Sequence, residues 1–146
     1  MTLLDRISLP VNGSEEMRLE ARQEGYKFLD RLQAEWDSGE NRFDQAGEFL
    51  CGCFRDEVLI AVGGVNRNPF GNDFRVGRIR RVYVRPAWRN QGVGAVLINF
   101  LLVKARQEFD AVVLRTDNPN AARLYERMGF LRTSSANATH MLTFLT

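Results

Sequence analysis

Val82-Tyr83-Val84-Arg85-Pro86-Ala87-Trp88-Arg89-Asn90-Gln91-Gly92-Val93-Gly94 opens as an apolar, β-branched run, stops at a proline, and passes through a cation to two glycines one residue apart. The pattern that follows, from residue 93 to about 106, is helical. The stretch therefore reads as a strand, a turn and a helix start. A first helical turn leaves its backbone N–H groups without intrahelical partners, and the helix dipole adds positive charge there. Such a turn receives anionic oxygens, and glycines let a bulky ligand come close to the main chain. The expected ligand carries phosphates.

Two common phosphate loops do not fit. A Walker loop needs Lys and then Ser or Thr after its second glycine, and Gly94 is followed by Ala95 and Val96. The dinucleotide fingerprint has three glycines, and Arg89 occupies the first glycine position. What Arg89-Asn90-Gln91-Gly92-Val93-Gly94 does resemble is the acyl-CoA loop of the GCN5-related N-acetyltransferases (GNAT): Arg or Gln, two residues, Gly, any residue, Gly or Ala. The preceding Val82-Tyr83-Val84-Arg85-Pro86 is similar to that family's approach to the loop.

A second stretch supports the resemblance. Asn118 is a good N-cap, Pro119 suits the first helical position, and Gly129 suits the left-handed residue that ends a helix of about ten residues. The run from Asn118 through Tyr125 to Gly129-Phe130 also resembles the family's second signature, an Asn seven residues before a Tyr and then Gly-Phe. Both motifs stand in the family's order, and the likeness covers roughly residues 60–130.

Working outward, residues 3–9 read as a first strand and 10–13 as a turn, with Ser14 as N-cap to a helix carrying Glu15 and Glu16 in its first turn. Met17, Ala21, Leu29, Leu32 and Trp36 form one stripe that Gly25 interrupts, and the resemblance favours two helices over one kinked one. Residues 48–54 and 58–65 read as a hairpin joined by Arg55-Asp56-Glu57, with Gly63-Gly64 marking a bulge or a close approach. Residues 66–73 form a loop long enough to border a site, and 74–84 the strand that enters the central motif. Ala111-Val112-Val113-Leu114 is a strand buried on both faces, and two last strands lie near 131–133 and 139–144. Between these, residues 133–137 read as a polar turn without a role.

This order predicts an α/β fold: a mixed sheet of about six to seven strands flanked by helices, with a parallel pair formed across the residue-93 helix because a crossover joins its strands. The resemblance adds that these two central strands splay and admit the pantetheine arm. With 146 residues and 45% hydrophobic content, one acetyltransferase domain over 1–146 is expected. The chain has no 18-residue apolar run and no leader pattern at its start, so a cytoplasmic protein without a membrane is expected. A net charge of +2 argues against nucleic acid as a partner. No metal is expected with one His and two Cys, and Cys51 and Cys53, two apart on a strand, read as buried thiols. Residues 74–107 contain no acid but eight cations, which reads as a field drawing a polyanion, or more plainly as a solvated basic face. His140 reads as a packing or surface residue.

The resemblance implies an enzyme that moves an acetyl group from acetyl-CoA to a primary amine of a small molecule or peptide, by direct attack in a ternary complex. The alternative is an acyl-CoA-binding sensor without turnover. The cofactor contacts implied are the main chain of Val82, Tyr83 and Val84 for the arm, Asn90, Gln91, Gly92, Val93, Gly94 and Ala95 with Arg89 for the diphosphate, and Asn118 and Asn120 beside them. An amide freed by the splay, that of Val84, would hold the oxyanion. Tyr125 matches the position that gives the departing thiolate its proton, a step uphill by about 1.5 pKa units, or ~2 kcal/mol, from an ordinary phenol.

The family's frequent central-strand Glu is replaced by Arg78, which cannot accept a proton. The base is then a water relay to main chain, or a carboxylate such as Glu48 or Asp73. Arg78 or Arg80, if directed into the cleft, would favour an acceptor with an acidic group; arginines facing solvent are the rival reading. Trp36, Phe43, Phe49, Phe70 and Phe74 are candidates for an acceptor pocket, most of them expected in the core. The acceptor, the acyl length and the oligomeric state, a homodimer included, stay open.

Overall fold

The computed structural model describes residues 2–144. In chain order its elements are β1 (Thr2–Arg6), α1 (Ser14–Gln23), α2 (Phe28–Ser38), β2 (Phe49–Arg55), β3 (Val58–Arg67), β4 (Val76–Val84), a 3-10 turn (Pro86–Trp88), α3 (Val93–Ala105), β5 (Ala111–Leu114), α4 (Pro119–Arg127), β6 (Leu131–Arg132) and β7 (His140–Thr143). They form a seven-stranded sheet in the order β1-β2-β3-β4-β5-β7-β6. The β4–β5 pair is parallel and the others antiparallel, as the crossover through α3 requires.

Local chemistry accounts for most boundaries. Gly25, at φ +90°, separates α1 from α2. The β2–β3 turn is shorter than expected, because Arg55 pairs with Val58 and the two residues between them, Asp56 and Glu57, both have positive φ, the twist a tight hairpin needs. β1 is also shorter: beyond Arg6 the chain turns Ile7 and Leu9 into the core under α1 and α2. Ser14 does not cap α1. It is the first helical residue, and its Oγ accepts the Val11 N–H at 3.1 Å, tightening the preceding turn instead.

Two apolar layers cover the sheet. On one face, Leu97, Ile98 and Leu101 of α3 and Tyr125 of α4 pack with Cys51, Cys53, Ile60 and Ile79. On the other, Met17, Ala21, Leu29 and Leu32 of α1 and α2 pack with Leu50, Val62 and Tyr83. Both cysteines are free and buried, and burial pushes the Cys51 thiol up to about 12, so it is inert as a nucleophile.

Two irregularities shape β4. Val62 pairs with Tyr83 and Gly64 with Arg80, so Arg81 and Val82 together face Gly63. The bulge expected at Gly63-Gly64 therefore has its extra residue in β4, at Arg81 with φ 61°. The glycines serve close approach: a Cβ on Gly64 would lie 2.6 Å from the Phe43 ring. The second irregularity is that pairing with β5 runs from Val76 to Arg78, opposite Ala111 to Val113, and then stops. Residues 79–84 have no β5 partner, and the central strands are splayed beyond Arg78.

Candidate active site

At the far end of the splay, the chain leaves Val84, makes the 3-10 turn, and enters α3 through Arg89-Asn90-Gln91-Gly92. Asn90 and Gly92 both have positive φ, at 62° and 81°. α3 begins at Val93 with no side-chain cap and no acid in its first turn. Its first amides are left to solvent or a ligand, while Val96 N–H returns to the Gly92 carbonyl at 3.1 Å. A Cβ on Gly92 would enter open space, whereas one on Gly94 would meet Leu124 at 3.4 Å and Val84 at 3.8 Å. Gly92 thus keeps the approach to the amides clear, and Gly94 lets α4 pack on α3.

Arg89 is already engaged. Its two terminal nitrogens donate to the Glu24 carboxylate at 2.7 Å each, its Nε donates to the Val84 carbonyl at 2.9 Å, and its guanidinium lies 5.3 Å over the Tyr83 ring. Glu24 also accepts from the Tyr83 hydroxyl. The Arg89 hydrogen bonds hold the Glu24 carboxyl below its ordinary range, and burial, with that carboxylate, pushes the Tyr83 phenol up. The end of α1, the edge of β4 and the loop are locked into one unit.

The acid-free segment is less electropositive than its sequence implies. Arg75 pairs with Asp110, Arg81 with Glu35, Arg85 with Glu20 and Arg89 with Glu24. Carboxylates of α1, α2 and the α3–β5 connection arrive from elsewhere in the chain, so four of the segment's eight cations are neutralised by the fold.

Val82 and Val84 pack on the α3 face, and Tyr83 points to α1 and α2. Since the Arg85 N–H bonds the Ile60 carbonyl on β3, alternation along the strand turns the Val84 N–H to the open β5 side. On the α3 face Tyr125 is 6% exposed, its ring edge-on to Phe130 at 5.4 Å. Burial alone raises its pKa, so the phenol stays protonated well past the ordinary range. Asn118 caps α4 as expected, its Oδ1 accepting the Asn120 and Ala121 N–H groups at 2.8 and 3.3 Å, and the Asn120 side chain accepts from Arg123. His140 is buried and ties α4 to β7 through a 2.8 Å contact with Glu126.

The two named base candidates are spent on their own loops. Glu48 accepts the Arg67 N–H at 2.9 Å and the Gln45 N–H at 3.2 Å, and Asp73 accepts the Arg75 N–H at 2.8 Å. On the α1–α2 face, at the point where β4 and β5 part, a cavity of about 410 Å³ is lined by Arg78, Val113, Asn68, Phe70, Asn137 and Met141 among others. Of the aromatics considered, Phe70 reaches it; Phe43 and Phe49 are core, Trp36 packs under α2, and Phe74 lies exposed beside Arg67. Arg80 is half-buried, and its guanidinium makes no hydrogen bond or ion pair among the described residues. The polar turn at 133–137, read as without a role, contributes Thr133, Ser135 and Asn137 to this cavity. Only its richness in hydroxyl and amide groups could have signalled that. Among the described residues no three His, Cys, Asp or Glu side chains gather as metal ligands, and no helix is long and apolar enough to cross a membrane.

The family model described as Acetyltransferase (GNAT) family matches residues 14–130. A protein from Exiguobacterium sp. 255-15, assigned as an acetyltransferase, shares the fold at a TM-score of 0.87 and 24% identity, over 98% of this chain and 93% of that one. A GNAT family acetyltransferase from Brucella melitensis, solved in complex with acetyl-CoA, superposes at 0.72 with 17% identity over 100% and 90% of the two chains. The ribosomal-protein-S18-alanine N-acetyltransferase from Escherichia coli gives 0.69 with 14% identity over 97% and 89%. No curated protein matches the sequence.

Proposed function

Because the chain belongs to the acetyltransferase (GNAT) family, we propose that it transfers an acetyl group from acetyl-CoA to a primary amine of a small molecule or peptide, within a ternary complex. The observation that carries this reading is the open edge of β4 over residues 79–84, which ends at the uncapped first turn of α3. An extended arm fits beside that edge as an added strand would, and a diphosphate fits the amides of Gln91 through Ala95. Arg89 serves by fixing the loop to Glu24 and Val84 rather than by reaching the phosphates. Asn118 and Asn120 shape the α4 entrance beside it.

Within this arrangement the Val84 N–H faces the developing oxyanion, and the Tyr125 hydroxyl faces the departing sulfur. Burial raises the Tyr125 pKa, so complete transfer of its proton is harder than for a free phenol. Its contribution is a strong hydrogen bond to the thiolate, with the proton passing as the charge settles. The attacking amine must be neutral, and with a pKa near ~10.4 only about one part in 2,500 is neutral at pH 7. With Arg78 at the family's frequent Glu position, the proton leaves through water. Glu35, bonded to the bulge residue Arg81 at 3.2 Å, is the carboxylate on this face to which such a chain could lead.

A pH profile follows. With an alkylamine acceptor, kcat/KM is expected to rise about tenfold per unit from pH 7 to 9, tracking the neutral amine. Tyr125 imposes no fall before pH 10, because its raised pKa keeps it protonated there. A plateau with an apparent pKa between 6 and 8 would reveal an enzyme base and contradict the water route.

The direct test is calorimetry with CoA, followed by a thiol-release screen of amino acids, polyamines, aminoglycosides and peptide N-termini. CoA binding with turnover of an amine supports the proposal. The engagement of Glu48 and Asp73 elsewhere favours one second reading, a sensor that binds acyl-CoA without turnover. CoA binding with no thiol released by any amine would select it.

A further inference from the structure

Resting on the acetyltransferase reading, we propose that the acceptor is a small amine that also carries an anionic oxygen group, carboxylate or phosphate, held by Arg78 in the cavity between the β3–β4 and β6–β7 connections. Gly77 and Ile79 turn to the α3 face, where Phe109 fills the space against Gly77, so alternation gives Arg78 and Arg80 the opposite face. Arg78 stands at the last β4–β5 pair, opposite Val113, with its guanidinium 5.1 Å over the Phe70 ring. It is only 9% exposed, it lines the cavity, and its Nη1 has no hydrogen-bond partner among the described residues.

A buried guanidinium nitrogen with nothing to donate to is costly, and native interiors rarely keep one without a purpose. Four other arginines of this segment each have a carboxylate. Arg78 has an aromatic face below it and an open volume before it. Burial presses its pKa down, and the nearby Arg115 adds like-charge repulsion in the same direction. A ligand anion would relieve both defects at once.

The cavity contains a second unmet group of opposite sense. Asn68 donates through Nδ2 to the Phe70 carbonyl at 2.9 Å, and its Oδ1 is buried without a partner among the described residues. Arg78 and Asn68 both line one volume of about 410 Å³ and each keeps a polar atom without a partner among the described residues, one a donor and one an acceptor, which together ask for a molecule with an anion and an N–H or O–H. That volume suits a small molecule rather than a long peptide.

The experiment uses the CoA-saturated protein and two readouts. Calorimetry compares α- and ω-amino acids, aminoalkyl phosphates, and the matching amides and amino alcohols; thiol release follows the same panel with acetyl-CoA. The expected result is at least tenfold tighter binding of an acid over its neutral counterpart, with the same order in kcat/KM. The carboxylate and phosphate arms tell which anion is preferred. Arg78→Met should bring the acid-to-neutral ratio down toward one, while Arg78→Lys should restore part of it, since the charge returns without the fork. Arg78→Met should fold, because it removes an unsatisfied buried donor, and Arg78→Lys should fold because it keeps the charge and most of the stem that already fits there. Neutral or cationic amines binding as well as acids, or no acid binding at all, would overturn the inference. Turnover of neutral amines with no acid preference would overturn it while leaving the acetyltransferase reading intact.

Discussion

Replacing Tyr125 by Phe is expected to lower kcat about a hundredfold while CoA affinity stays within about twofold. The substitution removes one oxygen and keeps the ring that packs edge-on against Phe130, so α4 and the core beneath it are undisturbed. What is lost is the hydrogen bond that the departing sulfur would receive. General acid assistance ordinarily contributes 10²- to 10⁴-fold, and the lower end applies because burial has already made this phenol a reluctant proton donor. A loss confined to the chemical step leaves ligand affinity alone, which is why calorimetry and turnover must be read together. Turnover unchanged in Tyr125→Phe would leave the residue as a packing aromatic and move the acid elsewhere. A loss of CoA affinity equal to the loss of kcat would say that the hydroxyl binds rather than reacts.

The parts of the fold that were legible in the sequence are those written in local chemistry. Asn118, Pro119 and Gly129 bound α4 in the sequence because caps act over three or four residues, and the structure uses each in that role. The run 111–114 reads as a doubly covered strand because only burial on both faces tolerates four apolar residues in a row, and all four are buried in β5. Ser14 misled because the same hydroxyl can serve a helix or the turn before it, and here the Val11 N–H won. The β4 bulge fell one strand away from the glycines that announced it. Gly63 and Gly64 record the crowding, and the extra residue went to Arg81, whose side chain gains Glu35 by turning there.

Electrostatics was the least legible layer. The stretch 74–107 has no acid of its own, yet Glu20, Glu24, Glu35 and Asp110 meet four of its arginines from other elements. Charge read along the chain could not see partners brought by the fold. The same blindness hid the cavity beside Arg78, whose walls come from two separated connections and three strands and whose turn at 133–137 carries no motif. What sequence could say of Arg78 was that it replaces a carboxylate. Its burial, its stacking on Phe70 and its unmet nitrogen belong to the third dimension.

Gly92→Asp is expected to weaken CoA binding at least thirtyfold with the fold intact. Gly92 sits at φ 81° immediately before α3, and a Cβ there points into open space, so the new side chain meets no protein atom. Aspartate accepts a left-handed backbone better than most residues, at a cost of about 1 kcal/mol, and a carboxylate at a helix N-terminus returns 0.3–1 kcal/mol of it. The melting temperature should move by no more than about 4 °C. The ligand fares differently, because the amides it needs now face a fixed negative charge. Two unit charges at about 4 Å repel by about 4 kcal/mol at an effective dielectric near 20. Screening leaves about half of that, and ~2 kcal/mol is roughly thirtyfold in Kd. Gly92→Ala supplies the control, since it carries the backbone strain without the charge and should cost less than fivefold. Raising the salt should narrow the gap between the two variants. If Gly92→Asp folds and binds CoA as the parent does, the diphosphate is not on the first turn of α3, and the open edge of β4 would have to receive some other extended ligand.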